Sequence, residues 1–137
     1  MWFQYDYLSW YKKCNSVRMT LEKYFREGLN MYIIRRAYKA KTGQGRKAAL
    51  LLKEIANIYT ESGQRSETII YYNGGTLPGP INELNRVYMQ WTSEIIDSPY
   101  RKDNKFPDLG GVYNEFRELL DDSDGPTTWI EFWEEVK

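Results

Sequence analysis

The chain has 137 residues, of which 42% are hydrophobic and 16% aromatic, and its 19 basic and 19 acidic residues leave no net charge. This composition excludes an intrinsically disordered chain, and the length predicts one domain, residues 1–137, with its own core. The single cysteine, Cys14, cannot form an internal disulfide, and no stretch approaches the roughly 20 apolar residues of a membrane span. We therefore expect a cytoplasmic protein with no membrane partner.

The zero net charge conceals two segments of opposite charge. Residues 16–47 contain nine basic and two acidic residues, and residues 103–137 contain ten acidic and three basic ones. Separation of this kind bears on partners rather than on the fold. The basic segment is suited to an anionic partner. The acidic segment is suited to a protein, to another copy of the chain, or to the basic segment itself.

The first half of the chain has the periodicity of helices. The rings of residues 2–13 fit a helix or a strand, and we favour a helix because the neighbouring segments have a helical pattern. Apolar residues recur in steps of three and four over residues 17–39 and again over residues 46–62, which is typical of helices with one buried stripe. Glycines interrupt the pattern between them. The pattern predicts a helical hairpin whose loop is flanked by cations.

The second half of the chain also has a mainly helical pattern, with one β-prone segment. Residues 66–72 are β-prone but have no evident partner strand nearby, so they are either a short extended element near residues 67–72 or a further helical turn. The polar stretch 98–111 is typical of a long loop. Apolar stripes predict three more helices, at residues 80–95, 112–121 and 128–136. We therefore predict an all-α fold of five or six helices around one aromatic-rich core.

The cations of the predicted hairpin form the leading candidate site. Clustered Lys and Arg can neutralise phosphates, and nearby tyrosine rings can stack on bases. We therefore expect a small non-enzymatic intracellular binding protein whose hairpin faces nucleic acid or a nucleoprotein and whose acidic end makes protein contacts or self-assembles. The predicted nucleic-acid-binding residues are Arg26, Arg35, Arg36, Lys39, Lys41, Arg46 and Lys47.

Two other interpretations of the sequence stand beside this hypothesis. The overall neutrality favours a protein-interaction module, such as an inhibitor or assembly factor, that binds no nucleic acid. Residues 52–59 and 68–71 are also similar to the two helices of a helix-turn-helix, although the turn between them is longer than the usual three or four residues.

A third alternative is a divalent-cation site. Residues 116–132 resemble the calcium-binding loop of an EF-hand, and the resemblance implies Asp122, Asp124 and Glu131 as ligands. Leu120 stands where the first carboxylate belongs, which weakens the implied site. An isolated match of this length is more often a corner between two helices. We therefore predict no metal site and keep these three carboxylates as a weak candidate.

Catalytic signatures are missing from the sequence. The chain has no histidine, which is the commonest general base and metal ligand, and it has no cysteine cluster. No pair of carboxylates is singled out by its spacing. We therefore predict a protein that is not an enzyme and that needs no cofactor.

Overall fold

A computed structural model describes residues 31–75, 78 and 84–136. The chain divides into two compact units, Met1–Met31 and Tyr32–Lys137, and every helix and strand of the described residues lies in the second unit. In chain order these elements are β1 (Tyr32–Lys39), α1 (Gly45–Glu61), β2 (Ile69–Tyr72), β3 (Arg86–Ser93), α2 (Gly110–Glu118) and β4 (Thr128–Glu134). The predictions for residues 2–13 and for the start of the helix at Pro80 lie outside the described residues.

The four strands form one antiparallel sheet in the order β2-β3-β1-β4. β1 is central and pairs along its whole length with β3, from Tyr32 opposite Ser93 to Lys39 opposite Arg86. Its other edge pairs with β4. The element order βαββαβ with this strand order is the ferredoxin-like, or split β-α-β, arrangement. The all-α prediction was therefore wrong, since the described residues contain only two helices beside the sheet.

β1, which was predicted as the end of a helix, has buried residues on both faces of the sheet. Its buried residues Ile34 and Ala37 are three apart, and Ala40 follows after three more. A strand puts successive side chains on opposite faces, so this spacing means that β1 has buried positions on both faces of the sheet. Tertiary pairing on two edges, which satisfies the backbone polar groups, outweighs the helical periodicity.

β3 and β4 were also predicted as helices and are strands. In β3, Val87 and Met89 are fully buried and alternate with more exposed residues, which is the two-residue period of a half-buried strand. In β4, the segment predicted as a helix at residues 128–136 is instead a strand from Thr128 to Glu134. The helix predicted at residues 46–62 and the extended element near 67–72 are confirmed as α1 and β2.

The core lies between one face of the sheet and the two helices. Leu52 of α1 and Phe116 of α2 are almost fully buried there against Val87 and Met89 of the sheet. The ring of Tyr38 meets the ring of Phe116 edge-on, with their centroids 5.0 Å apart. The described part of the chain contains no helix long and apolar enough to cross a membrane.

Candidate functional site

The alternation of side chains divides the sheet into two faces. The helix-side face packs against α1 and α2 and contains Arg36, Tyr38 and Trp91. The open face is the opposite one; Arg35 and Tyr88 lie on it. Within the described residues neither helix packs on the open face. Each face contains a candidate site.

A cavity of about 220 Å³ lies at the helix-side face, and we call it the arginine cavity. The sheet forms one wall, and the loop between β3 and α2, residues 94–109, forms another. Gln64 Nε2 donates a hydrogen bond to Asn104 Oδ1 at 3.0 Å, which ties this loop to the end of α1. Its apolar lining includes Ile34, Trp91, Phe106, Ile130 and Phe132, and its cationic lining is Arg36, Arg65 and Arg101.

Arg65 follows α1 and extends back over the sheet. Its guanidinium carbon lies 3.9 Å from the ring centroid of Tyr59 and 4.3 Å from that of Trp91, so the group is sandwiched between two aromatic rings. Nη1 donates to the thioether sulfur of Met89 at 3.1 Å, and Nε donates to Gln64 Oε1 at 2.6 Å. All of these partners are uncharged. The guanidinium is thus held firmly but not neutralised.

Arg36 occupies the middle of the helix-side face. Its Nε donates to Thr128 Oγ1 at 3.3 Å on β4, and its guanidinium carbon lies 5.6 Å from the ring centroid of Tyr38. It lines the arginine cavity and also a second cavity of about 320 Å³ that extends toward α2 past Tyr59 and Tyr113. The side chain of Arg36 therefore lines both cavities.

No carboxylate among the described residues forms an ion pair with Arg36 or Arg65. Asp97, the carboxylate that lines the arginine cavity, lies 3.8 Å from Arg101 Nε instead. Burial lowers the pKa of Arg65 to about 10, and the charge of Arg36 acts in the same direction. Burial raises the pKa of Tyr38 to about 12, so its phenol is neutral at pH 7 and is not a counter-ion. The described residues that line the cavity therefore carry excess positive charge.

On the open face, Glu131 organises the aromatic side chains of β4. Its Oε1 accepts a hydrogen bond from Trp129 Nε1 at 2.9 Å, and its Oε2 accepts one from Trp133 Nε1 at 3.0 Å. Arg35 Nε lies 3.9 Å from the same carboxylate. Burial alone would raise the pKa of Glu131, but the two indole donors and Arg35 outweigh it and lower the pKa below its usual value. The carboxylate is therefore ionised at neutral pH.

Cations of the open face lie over its rings. The guanidinium carbon of Arg35 is 4.1 Å from the ring centroid of Tyr88, and that of Arg86 is 4.9 Å from the ring of Trp129. A groove of about 390 Å³ runs beside Arg35 across β2 and β3. Its lining residues are Arg35, Tyr71, Tyr72, Asn73, Tyr88 and Gln90.

The residues predicted to bind nucleic acid do not form the helical hairpin surface that the sequence suggested. Arg35, Arg36 and Lys39 belong to a strand, which puts Arg36 on the opposite face from the other two. Lys39 Nζ donates to the carbonyl of Asp124. Lys41 Nζ donates to the carbonyl of Glu118 at 2.8 Å. Arg46 and Lys47 are exposed at the start of α1, and Arg26 lies outside the described residues. Nucleic-acid binding by these residues stays a prediction.

The carboxylates of the EF-hand-like segment lie in different surroundings. α2 ends at Glu118, and the segment after the acidic turn is strand β4, whereas an EF-hand requires a second helix. Asp122 and Asp124 lie in the turn, while both oxygens of Glu131 accept indole hydrogen bonds on the open face. Within the residues that the structure describes, no group of three such side chains could hold a metal ion.

Nearby, Asp121 is held by the turn itself. Its Oδ1 accepts hydrogen bonds from Ser123 Oγ at 2.6 Å and from Ser123 N at 2.9 Å. These bonds are the main cause of a lowered pKa for Asp121, and the charges of Lys39 and Lys41 add to it. This carboxylate therefore belongs to a turn that lies beside two of the predicted nucleic-acid-binding lysines.

Sequence reasoning did not find the arginine cavity. Arg65 lies between the two segments that are similar to a helix-turn-helix, and Trp91 lies within the segment predicted as a helix at residues 80–95. The two meet across 26 residues of chain, and no local pattern indicates such a contact. No protein-family model matches the sequence, and no curated protein matches it either.

Proposed function

We propose that this protein binds a small organic carboxylate in the arginine cavity. The observation that supports the proposal is the pair of guanidinium groups, from Arg36 and Arg65, that line the cavity and form no ion pair with a carboxylate of the described residues. The ligand would supply the missing negative charge.

The energetic argument concerns the cost of an unpaired cation away from water. Removing a charge from solvent is unfavourable unless an opposite charge or several hydrogen bonds replace the water. The two rings around Arg65 offset part of this cost, since a cation–π contact contributes about 0.5–2 kcal/mol. They do not offset the repulsion between Arg65 and Arg36. A bound anion would attract both guanidinium groups, and this attraction would outweigh the repulsion between them.

The lining of the arginine cavity narrows the class of ligand. A guanidinium presents parallel donors that match the two oxygens of a carboxylate. Trp91 and Phe106 provide flat apolar surfaces for the rest of the molecule. A volume of about 220 Å³ admits a ligand on the order of ten non-hydrogen atoms. Aromatic and medium-chain monocarboxylates have the carboxylate, the apolar remainder and the size that these features require.

Isothermal titration calorimetry tests the proposal with benzoate, phenylacetate and octanoate, and with benzamide and octanamide as uncharged controls. The wild-type protein should bind the carboxylates and not the amides. Arg36→Gln should weaken binding at least about tenfold, as is usual when a charged hydrogen-bonding partner is lost. Arg35→Gln is the matched control, because the neighbouring residue lies on the open face and its loss should leave carboxylate binding unchanged.

Two results would contradict carboxylate binding. Equal affinity for benzoate and benzamide would show that charge does not select the ligand. Equal effects of Arg36→Gln and Arg35→Gln would show that the helix-side face is not where the anion lies.

A further inference from the structure

We propose that the open face binds single-stranded nucleic acid, with its bases on the groove across β2 and β3. This site lies on the opposite side of the sheet from the arginine cavity and does not depend on it. It also differs from the predicted hairpin surface, because strand residues form it and Arg36 is excluded from it.

The register of the strands aligns aromatic residues in one row. Tyr71 of β2 pairs with Tyr88 of β3, Tyr88 pairs with Ala37 of β1, and Ala37 pairs with Trp129 of β4. Neighbouring strands lie about 4.8 Å apart, so the row extends roughly 14 Å across the sheet. Tyr71 is 45% exposed and can therefore meet a base. Stacking on rings accepts any base, because every base has a π face.

The charges of the open face favour an anionic partner. Beside Arg86, which already has an interaction partner, its strand positions carry two cations, Arg35 and Lys39, and one carboxylate, Glu131. Among the residues that the structure describes, no carboxylate lines the groove. Arg35 lies over the ring of Tyr88, so the outer side of its guanidinium plane is the surface on which a base can stack while its donors meet a phosphate. The side-chain amide of Gln90 adds hydrogen-bonding groups that can meet a base edge.

The same charges disfavour a second copy of the chain as the occupant. Two open faces packed about a two-fold axis would bring Arg35 and Lys39 of both copies, four cations, into one interface with two carboxylates. Like charges in contact across an interface are strongly unfavourable. A nucleic-acid strand meets the cations with phosphates and the rings with bases. Except at its two ends, a double helix exposes no base faces. A single strand does expose them, so it is the form of nucleic acid that fits this surface.

Fluorescence anisotropy tests the proposal with fluorescein-labelled oligouridine and oligothymidine of about twelve nucleotides, a length within the usual range of single-strand sites. The wild-type protein should bind both, and the affinity should fall steeply as salt rises from about 50 to 200 mM. A DNA duplex of the same length should bind much more weakly. Tyr71→Ala should weaken single-strand binding about tenfold, as expected for the loss of one stacked ring. Tyr71 is part-exposed on an edge strand, so this variant should fold.

Arg35→Gln and Arg36→Gln form the matched pair in this assay as well. Arg35→Gln should weaken oligonucleotide binding, and Arg36→Gln should leave it unchanged, which is the reverse of their expected effects on carboxylate binding. Circular dichroism and thermal midpoints of each variant establish that it is folded. The two variants therefore show separately whether carboxylate binding or oligonucleotide binding has failed.

Three outcomes would overturn the proposal. One is the lack of any anisotropy change at low salt with folded wild-type protein. Another is equal binding of the duplex and the single strand. The third is a dimer in light scattering that Tyr71→Ala or Arg35→Gln dissociates, since the open face would then be an interface between copies.

Discussion

Arg35 and Arg36 are consecutive residues of β1, and their guanidinium groups lie on opposite faces of the sheet. Arg35 lies over Tyr88 at 4.1 Å, and Arg36 lies 5.6 Å from Tyr38. The cause is the alternation of side chains along a strand. The central strand of the fold thereby supplies one cation to each of two separate sites.

The first prediction concerns Arg65, whose charge should contribute little to folding. Arg65→Met keeps an unbranched side chain between Tyr59 and Trp91 and removes the unpaired charge. The lost cation–π contacts and the relieved desolvation act in opposite directions. We expect a free energy of unfolding within about 1 kcal/mol of the wild type, by urea denaturation without ligand, together with loss of carboxylate binding.

A large loss of stability would assign Arg65 a different role. If Arg65→Met unfolded at much lower urea concentration than the wild type, the guanidinium would be a structural element of the core. Arg101→Met serves as the comparison, because Arg101 also lines the cavity but pairs with Asp97 and Asp103. Its substitution should affect carboxylate binding less than Arg65→Met does.

The second prediction tests the packing of α1. Leu52 is fully buried, whereas Leu50, two residues earlier in the same helix, is 63% exposed. Leu52→Ala removes core contacts and leaves a cavity, so it should lower the free energy of unfolding by about 2–5 kcal/mol. Leu50→Ala should change it by less than about 0.5 kcal/mol in the same urea titration. Similar losses for the two variants would mean that α1 packs through a different face.

The sequence was informative where local and global preferences agree. α1 is long and amphipathic and carries its apolar residues on one face, so its period identified it within one residue at each end. β1 was misassigned because Tyr32 and Ile33 continue the steps of three and four in which apolar residues recur from Leu21 onward. In the strand these two neighbours lie on opposite faces, and the pattern cannot be told from a helix without knowledge of the pairing.

Prediction of the candidate sites from the sequence depended on the same distinction between helix and strand. The clustered cations were visible in the sequence, but their arrangement on a surface depends on the type of element. Consecutive residues are about 100° apart around a helix and about 180° apart along a strand. A helix would have kept Arg35 and Arg36 on one side, and the strand separates them. The contact of Arg65 with Trp91 required the sheet topology, and no residue pattern near either one predicts it.

The third prediction concerns the pH dependence of the open face. The pKa of Glu131 is lowered in the folded protein, so this carboxylate stabilises the fold at pH values above its unfolded pKa of about 4.3. The stabilisation should disappear as the pH falls through the lower, folded pKa. Glu131→Gln should therefore be less stable than the wild type at pH 7, and the difference should shrink as the pH approaches 3.

Tryptophan fluorescence during urea unfolding provides the measurement, since Trp129 and Trp133 both donate to Glu131. Glu115→Gln is the control, because Glu115 is an exposed residue of α2. It should not change the pH profile. A difference between wild type and Glu131→Gln that stays constant from pH 7 to about 3 would contradict the assigned hydrogen bonds.

The fourth prediction concerns Tyr38 at alkaline pH. Burial raises its pKa to about 12, whereas an unfolded tyrosine ionises near 10. Between these values the unfolded chain loses the proton and the folded chain keeps it, so ionisation favours unfolding and stability falls as the pH rises. Tyr38→Phe removes the ionising group and keeps the ring that meets Phe116 edge-on. The variant should match the wild type at pH 7 and lose less stability between pH 10 and 12, by on the order of 1–2 kcal/mol. Urea titrations at closely spaced pH values measure this difference, and parallel declines of the two proteins would mean that the Tyr38 hydroxyl reaches solvent.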